Sequence, residues 1–189
     1  MATRDLTLIG LFAALTAVCA QVSVAVPPFF SSVPFTLQVF AVLASGAVLG
    51  SRRGTLSQVV YLLLGAAGGP VFARFHGGAQ VLVGPTAGYL WAFPIAAYLA
   101  GRGGEVGGER SAPSAPGTWL GLGAGLVCIY AFGAAGLVAT RTVPTLGRAL
   151  SVGVYPFLPA DLVKAILAHW VAQRVRFAVP APQVAVRGR

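Results

Sequence analysis

Long apolar runs, separated by short polar stretches, dominate the chain. No charged side chain occurs between Asp5 and Arg52, nor between Arg110 and Arg141. Both runs are longer than the roughly 18–20 residues that a helix needs to cross a bilayer. The pattern therefore predicts an all-α membrane protein.

The apolar runs divide into six predicted transmembrane helices, followed by a tail. Their approximate bounds are 5–26, 34–50, 54–72, 80–101, 118–140 and 158–177. A short helix over 146–154 is predicted at the membrane surface. A flexible solvated linker is predicted over 102–117, which is rich in Gly, Ser and Pro and contains both glutamates. We predict a single six-helix transmembrane domain over residues 1–177 and a disordered cytoplasmic tail over 178–189.

Two further observations bear on this division. The first run resembles a secretory signal that could be cleaved after Ala20, but it stays apolar to Val26, which favours a retained helix. With six crossings, both termini lie on one side of the membrane, and that side receives nine of the twelve arginines, whereas the other side receives Arg74, Arg141 and Arg148. The positive-inside rule then makes both termini cytoplasmic, in a multi-pass protein of the cytoplasmic membrane.

The composition narrows the class of protein further. Hydrophobic residues make up 57% of the chain, charged residues 9%, and the mean hydropathy is +0.81. Soluble domains carry about 25% charged residues, so lipid is the predicted partner of this surface. The net charge of +9 comes from short arginine clusters and not from a basic face with interleaved aromatic rings, so no nucleic acid is predicted. Cys19 and Cys128 lie inside apolar segments and are predicted to be small buried hydrophobes.

Most polar side chains inside the predicted helices fall at one depth. With the termini cytoplasmic, six of them lie in the outer halves of their helices: Gln21, Gln38, Gln80, Thr86, Asp161 and Lys164. Gln58 is the exception, near the inner start of the third helix. Lipid cannot satisfy such groups, so they face a bundle interior or a wet cavity. The clustering predicts a pocket that opens to the outside.

Asp161 and Lys164 stand three positions apart, so a helix places them on one face. Lys164 is the only lysine of the chain, and Asp161 is one of four acidic residues. Pro159 suits the first turn of that helix, and Asp161 then lies near its positive end. A lone charge at the centre of a transmembrane helix costs about 2.5–3.5 kcal/mol on insertion scales. We predict that the two residues bind a polar solute; a bridge that only braces two helices is the alternative.

Aromatic rings near the same depth add an apolar component to this site. Phe29, Tyr89 and Tyr155 are candidate ligand-binding rings, and Gln38 and Arg74 are the remaining candidates. A small ligand with an apolar body and polar ends suits such a mixture. An interfacial aromatic belt is the alternative for the rings.

Several kinds of chemistry lack their residues in this sequence. A phosphate-binding loop needs Gly-Lys-Ser/Thr, whereas the sole lysine has apolar neighbours. His76 and His169 lie far apart, with no carboxylate or thiol at ligand spacing, so no metal is predicted. No nucleophile with an adjacent base is visible. We predict a protein that is not an enzyme and carries no cofactor; a membrane enzyme that uses Asp161 as its base stays open.

Three motifs occur in a specific order along the chain. They are VPFTLQ at 33–38, GGPVFA with VGPTAGYL at 68–73 and 83–90, and LPADLVKA at 158–165. Together they resemble the BioY family, the biotin-specific substrate-capture subunits, or S components, of energy-coupling factor (ECF) transporters. The resemblance extends from Leu6 to about Ala172, with Ala87 where the family more often has glycine.

The resemblance carries expectations of its own. It implies a six-helix fold that binds biotin near the external surface, with Asp161 beside the ureido ring, Lys164 nearby, and the loop after the first helix closing the pocket. It also implies that Ala13 and Ala17 dock on a transmembrane coupling subunit driven by two ATPase subunits. Some members of the family take up biotin without these partners, so the need for them stays open. Internal packing is the alternative for the two alanines, and another small vitamin or carboxylate is the alternative ligand.

Overall fold

The apolar runs form seven α-helices in the part of the chain that the structure describes. The structure is a computed structural model, and it describes residues 2–24, 33–105 and 115–175. The helices are α1 (Thr3–Gln21), α2 (Gln38–Leu49), α3 (Ser51–Ala66), α4 (Ala87–Glu105), α5 (Ala115–Ala139), α6 (Leu146–Gly153) and α7 (Leu158–Val175). Two short 3₁₀ helices, Ala73–Phe75 and Ala79–Val83, connect α3 to α4. The fold is therefore mostly helical, as the apolar pattern predicts.

A two-stranded antiparallel sheet accompanies the helices and was not predicted. Strand β1 (Ser23–Val24) pairs with β2 (Phe35–Thr36), and Ser23 stands opposite Thr36. Strands of two residues are too short to produce a periodic signal in a sequence. The Leu37 N–H adds a bond of 3.2 Å to the carbonyl oxygen of Cys19. The sheet thus ties the segment before α2 to the end of α1.

The lengths of the helices bear on the number of membrane crossings. Helix α1 and residues 116–139 of α5 are long and apolar enough to cross a membrane, and α6 with α7, bent by 59°, make a third span if they are taken as one. Within residues 2–24, 33–105 and 115–175, two or three spans thus qualify by length and composition, against six in the prediction. Helix α2 has 12 residues, which is about 18 Å at 1.5 Å per residue and less than the roughly 30 Å of the hydrocarbon core.

The boundary between α4 and the predicted linker lies later than the sequence suggested. Helix α4 continues to Glu105, whose carboxylate accepts bonds from the Ser51 backbone N–H (2.7 Å) and the Ser51 hydroxyl (3.0 Å). Ser51 begins α3, so the carboxylate caps the positive end of that helix. Residues 102–105 are therefore ordered helix and not linker; residues 106–114, and the predicted tail over 178–189, lie outside the described residues.

Glycines allow α4 and α5 to pack closely at both ends. A Cβ atom added at Gly136 would lie 2.8 Å from the Cα of Gly88, and one added at Gly121 would lie 2.8 Å from the Cα of Gly103. Such close approach of helix backbones needs small residues. The same pairs show that the two helices are antiparallel, with the start of α4 beside the end of α5.

The core changes character along the bundle. One cluster of buried residues contains bulky side chains, among them Tyr61, Phe72, Tyr89, Phe93 and Ile129. A second cluster, formed largely by α2 and α7, is rich in alanine, including Ala44, Ala47, Ala165, Ala168 and Ala172. Small side chains let helices approach closely. The bulky cluster surrounds the cavity in which the candidate site lies.

Candidate functional site

A cavity of 330 Å³ lies at the end of the bundle where α2, α4 and α7 begin. Sites for small molecules have volumes of about 300–1,000 Å³. Pro34 and Pro85 line it, shortly before α2 and α4 begin at Gln38 and Ala87. Proline lacks the N–H that a helix interior requires. The late starts of these two helices leave the space that the cavity occupies.

The Asp161–Lys164 pair lies in the wall of this cavity. The side chains belong to successive turns of α7, and the ammonium nitrogen of Lys164 is 2.6 Å from Oδ1 of Asp161. Lys164 also donates to the carbonyl oxygen of Thr36 (2.6 Å), and its nitrogen lies 4.3 Å from the centre of the Phe35 ring. The residues are 2% and 4% exposed. Both charges therefore have partners within the protein and need none from lipid.

Tyr130 adds a second polar contact to Asp161. Its hydroxyl, on α5, donates to Oδ2 of Asp161 at 2.7 Å, and it too lines the cavity. Tyr130 is not among the residues predicted for the site. The signal in the sequence is a phenol within an otherwise apolar helix, where an unpaired hydroxyl would be costly.

The Asp161 carboxylate and the Lys164 ammonium keep further hydrogen-bonding capacity. A carboxylate offers about four acceptor sites, and the two bonds from Lys164 and Tyr130 use two of them. An ammonium has three donors, of which two go to Asp161 and Thr36. This corner of the cavity can accept N–H groups and donate to an oxygen of the same solute.

Gln38 lines the cavity, but its amide is used within the protein. Its Oε1 accepts from the Thr36 hydroxyl (3.0 Å), and its Nε2 donates to the Tyr61 hydroxyl (2.8 Å). Tyr61 in turn donates to the carbonyl oxygen of Val71 (3.2 Å). This chain joins β2, α2, α3 and the loop that follows α3. Gln38 therefore fixes one wall of the cavity.

Aromatic side chains form the apolar part of the lining. Phe93 and Phe157 line the cavity, and Phe157 stacks on Phe35 with 5.6 Å between ring centres. Tyr89 also lines it and donates its hydroxyl to the carbonyl oxygen of Gly153 (2.9 Å). The Tyr89 hydroxyl thus joins α4 to the end of α6, and its ring remains for a ligand.

Arg74 reaches the cavity from the loop between α3 and α4. The residue is exposed and its φ is +60°, in the left-handed region that non-glycine residues seldom adopt. His76 and Gln80, from the same loop, line the cavity as well. This loop adds polar side chains to the lining of the cavity, with one positive charge from Arg74.

The remaining predicted residues are not brought to this cavity. Tyr155 is 62% exposed and is not part of the lining, and Phe29 lies outside the described residues. Ala13 is 1% exposed and belongs to the core, and Ala17 is half-buried against it. A partner cannot reach Ala13 directly in this structure. The docking role implied for Ala13 and Ala17 therefore stays a prediction, and the small residues that α1 exposes are Gly10 and Ala14.

The fold and the site together define a helical membrane protein with a cavity of the size that binds small molecules. Within residues 2–24, 33–105 and 115–175, no group of three or more His, Cys, Asp or Glu side chains could hold a metal ion. The chain belongs to the BioY family, whose model matches residues 1–181.

Relatives of known name cover nearly the whole chain. It is 44% identical over 92% of its length to the biotin transporter BioY of Thermotoga maritima, covering 96% of that protein. It is 43% identical over 93% of its length to the probable biotin transporter BioY of Pyrococcus horikoshii, covering 98% of it. These relatives are named as transporters and not as enzymes.

A solved structure shares the fold. It is a crystal structure of the S-component for biotin from an ECF-type ABC transporter, which matches with a TM-score of 0.83 and 26% identity. The match covers 94% of this chain and 95% of that one. The helices described above therefore have the fold of an S-component.

Proposed function

We propose that this chain captures biotin in the cavity and serves as the S component of an ECF transporter that takes the vitamin up. The observation that carries the proposal is the buried Asp161–Lys164 pair with free hydrogen-bonding capacity toward a 330 Å³ cavity. Membership of a family whose relatives are named biotin transporters identifies the ligand. An enzyme is not favoured, because these relatives are transporters.

The polar corner at Asp161 suits the ureido ring of biotin. That ring carries two N–H donors and one carbonyl oxygen. Asp161 accepts one of the N–H groups on a lone pair that Lys164 and Tyr130 leave free, and the third N–H of Lys164 donates to the carbonyl oxygen. Hydrogen bonds to a charged group are worth about 1.5–3 kcal/mol each. This corner therefore supplies much of the affinity.

The rest of the vitamin matches the rest of the cavity. The sulfur-containing ring and the aliphatic chain are apolar, and Phe93, Tyr89 and Phe157 form an apolar lining. The terminal carboxylate then lies toward the loop with Arg74, which offers a planar guanidinium to it. The proposed site thus binds the ureido ring at Asp161 and the carboxylate at Arg74.

The arginines of the described residues support cytoplasmic termini. The end of the bundle away from the cavity carries four of them: Arg4, Arg52, Arg53 and Arg102. The ion pair of Arg53 with Asp5, at 3.1 Å, brings the α2–α3 junction beside the start of α1. By the positive-inside rule this end faces the cytoplasm and the cavity opens outside. We propose six crossings, by α1 to α5 and α7, in a single domain over residues 1–177 in the cytoplasmic membrane, with α6 at its outer surface. Because α2 has only 12 residues, the residues directly before Gln38 complete its crossing in this proposal.

Partner subunits drive the release of biotin into the cell in this proposal. They are a transmembrane coupling subunit and two ATPase subunits, as the likeness to an S-component of an ECF-type ABC transporter suggests. Helix α1 offers Gly10 and Ala14 on its exposed face, where a partner helix can approach closely. We propose this face, together with the neighbouring Ala13 and Ala17, as the docking surface.

Equilibrium binding of labelled biotin to the isolated chain in detergent tests the proposed ligand. We expect a dissociation constant in the nanomolar range, which corresponds to about −12 kcal/mol. Competition by other vitamins and small carboxylates measures selectivity. Binding weaker than micromolar, or equal competition by an unrelated vitamin, would refute biotin as the ligand.

A further inference from the structure

The loop that brings Arg74 to the cavity has an unusual backbone. Residues Phe72 to His76 fold back on themselves, with the Phe72 N–H bonded to the carbonyl oxygen of His76 at 2.9 Å. Arg74 and Phe75 have φ values of +60° and +58°. Two consecutive non-glycine residues in the left-handed region persist only where surrounding contacts hold them. What holds this loop decides where Arg74 lies.

One side of the loop is fastened to α3. The Phe72 side chain is 2% exposed and packs edge-on against Tyr61, with 5.6 Å between ring centres. Gly65 leaves room for the Phe72 ring, because a Cβ atom at residue 65 would collide with that ring. The carbonyl oxygen of Gly65 accepts the Gly78 N–H at 2.7 Å. These contacts hold the ends of the loop and leave its centre, at residues 73–75, to other partners.

Gln21, the last residue of α1, supplies contacts on the other side. Its Nε2 donates to the carbonyl oxygen of Phe72 (3.1 Å), and its Oε1 accepts the N–H of Phe75 (2.8 Å). One amide thus holds two backbone groups on either side of Arg74, more than 50 residues away in sequence. The Nε2 also donates to the carbonyl oxygen of Ala17, one turn earlier, which fixes the side chain on its helix.

We propose that Gln21 is a positioning residue for ligand binding, which acts by holding Arg74 toward the cavity. The inference rests on the proposed function in so far as the ligand is biotin with its carboxylate near Arg74. Gln21 does not line the cavity, so it acts through the loop and not by touching the ligand. Arg74 lies between the two backbone groups that Gln21 bonds, and Phe75 supplies one of these groups, its N–H.

Two substitutions separate the two bonds. Gln21→Met keeps the length of the side chain and removes both bonds to the loop, whereas Gln21→Glu keeps an acceptor for the Phe75 N–H and loses the donor to Phe72. Both substitutions also remove the bond to Ala17. Gln173→Met is the matched control, since Gln173 lies near the far end of α7 and does not line the cavity. For each variant we measure the dissociation constant and dissociation rate of biotin, hydrogen–deuterium exchange over residues 72–76 without ligand, and the melting temperature.

The expected result is a loss of affinity with little loss of stability. Gln21→Met raises the dissociation constant about three- to tenfold, as the loss of two neutral hydrogen bonds allows, and speeds exchange at Phe75. Gln21→Glu protects Phe75 better than Gln21→Met does. The double variant Gln21→Met/Arg74→Gln binds no more weakly than Arg74→Gln alone, because Gln21 acts through Arg74.

Other results would overturn the inference. Additive losses in the double variant would mean that Gln21 does not act through Arg74, and unchanged exchange over 72–76 would mean that it does not hold the loop. A fall in melting temperature that accounts for the weaker binding would make the role structural only. The exchange experiment needs no ligand, so it tests the loop contact even if the wild-type chain fails to bind biotin.

Discussion

Two groups of buried polar side chains differ in what lies beside them. The cavity cluster, defined as Tyr130, Asp161 and Lys164, lines the cavity. The closed cluster consists of four side chains of α1, α2 and α3 that are 0% exposed: Thr16, Ser45, Ser57 and Gln58. None of the four lines the cavity. Both clusters keep polar atoms away from lipid, yet only one of them faces space that a solute can enter.

The closed cluster uses its hydrogen bonds within the bundle. Its three hydroxyls donate to carbonyl oxygens of their own helices, at 2.7–2.8 Å, and accept from Nε2 of Gln58 at 3.1–3.3 Å. Oε1 of Gln58 has no partner among the described residues, which costs about 1–3 kcal/mol. A buried polar side chain in a membrane helix is thus not enough to indicate a ligand site; charge and adjoining space distinguish the cavity cluster.

The largest effect is expected from Asp161. Asp161→Asn keeps the shape but removes the charge that accepts N–H groups, so we expect the dissociation constant of biotin to rise about tenfold or more. Isothermal titration in detergent measures it. Lys164 then loses its buried counter-charge, and breaking such pairs costs about 3–5 kcal/mol of stability.

A second variant separates binding from stability. Asp161→Asn/Lys164→Met removes both charges, and replacing a buried pair by neutral groups is often neutral for stability. We expect the melting temperature to recover while the affinity does not. Full affinity in the double variant would mean that Asp161 and Lys164 only join α7 to β2 and do not bind the ligand.

A smaller loss is expected from Tyr130→Phe. The ring stays, and Asp161 loses the 2.7 Å bond from the hydroxyl that orients its Oδ2. We expect the dissociation constant of biotin to rise roughly three- to tenfold, since a hydrogen bond to a charged group is lost. Tyr98→Phe serves as the control, because Tyr98 lies near Arg102, away from the cavity. Equal losses from both substitutions would show a general effect on the bundle.

The fold was predictable where a strong local pattern exists. The bounds of α6 and the start of α7 agree closely with the sequence, because Pro159 and the apolar runs mark them. The two ends of α4 and the pair of short strands were not predicted from the sequence. Glu105 stays in α4 because its carboxylate caps α3 at Ser51, a contact between distant segments. Contacts of this kind leave no trace in local composition.

The candidate site was predictable in part for the same reason. Asp161 and Lys164 are unusual residues in an apolar helix, and their spacing alone places them on one face. Tyr130 is a common residue whose importance comes from its position opposite Asp161, 31 residues later. The burial of Ala13 could not be inferred, since a pair of alanines four residues apart suits the inside of a bundle as well as its surface.

Two glutamines provide the finest test of the comparison between the clusters. Gln38→Met should weaken biotin binding severalfold, because Gln38 fixes a cavity wall through Thr36 and Tyr61. Gln58→Met should leave affinity within about twofold, since the hydroxyls of the closed cluster keep their carbonyl partners and an unpaired acceptor disappears. Isothermal titration gives the dissociation constant of biotin for both variants, and melting curves give their stability. A larger loss of affinity in Gln58→Met than in Gln38→Met would show that the closed cluster also shapes the cavity.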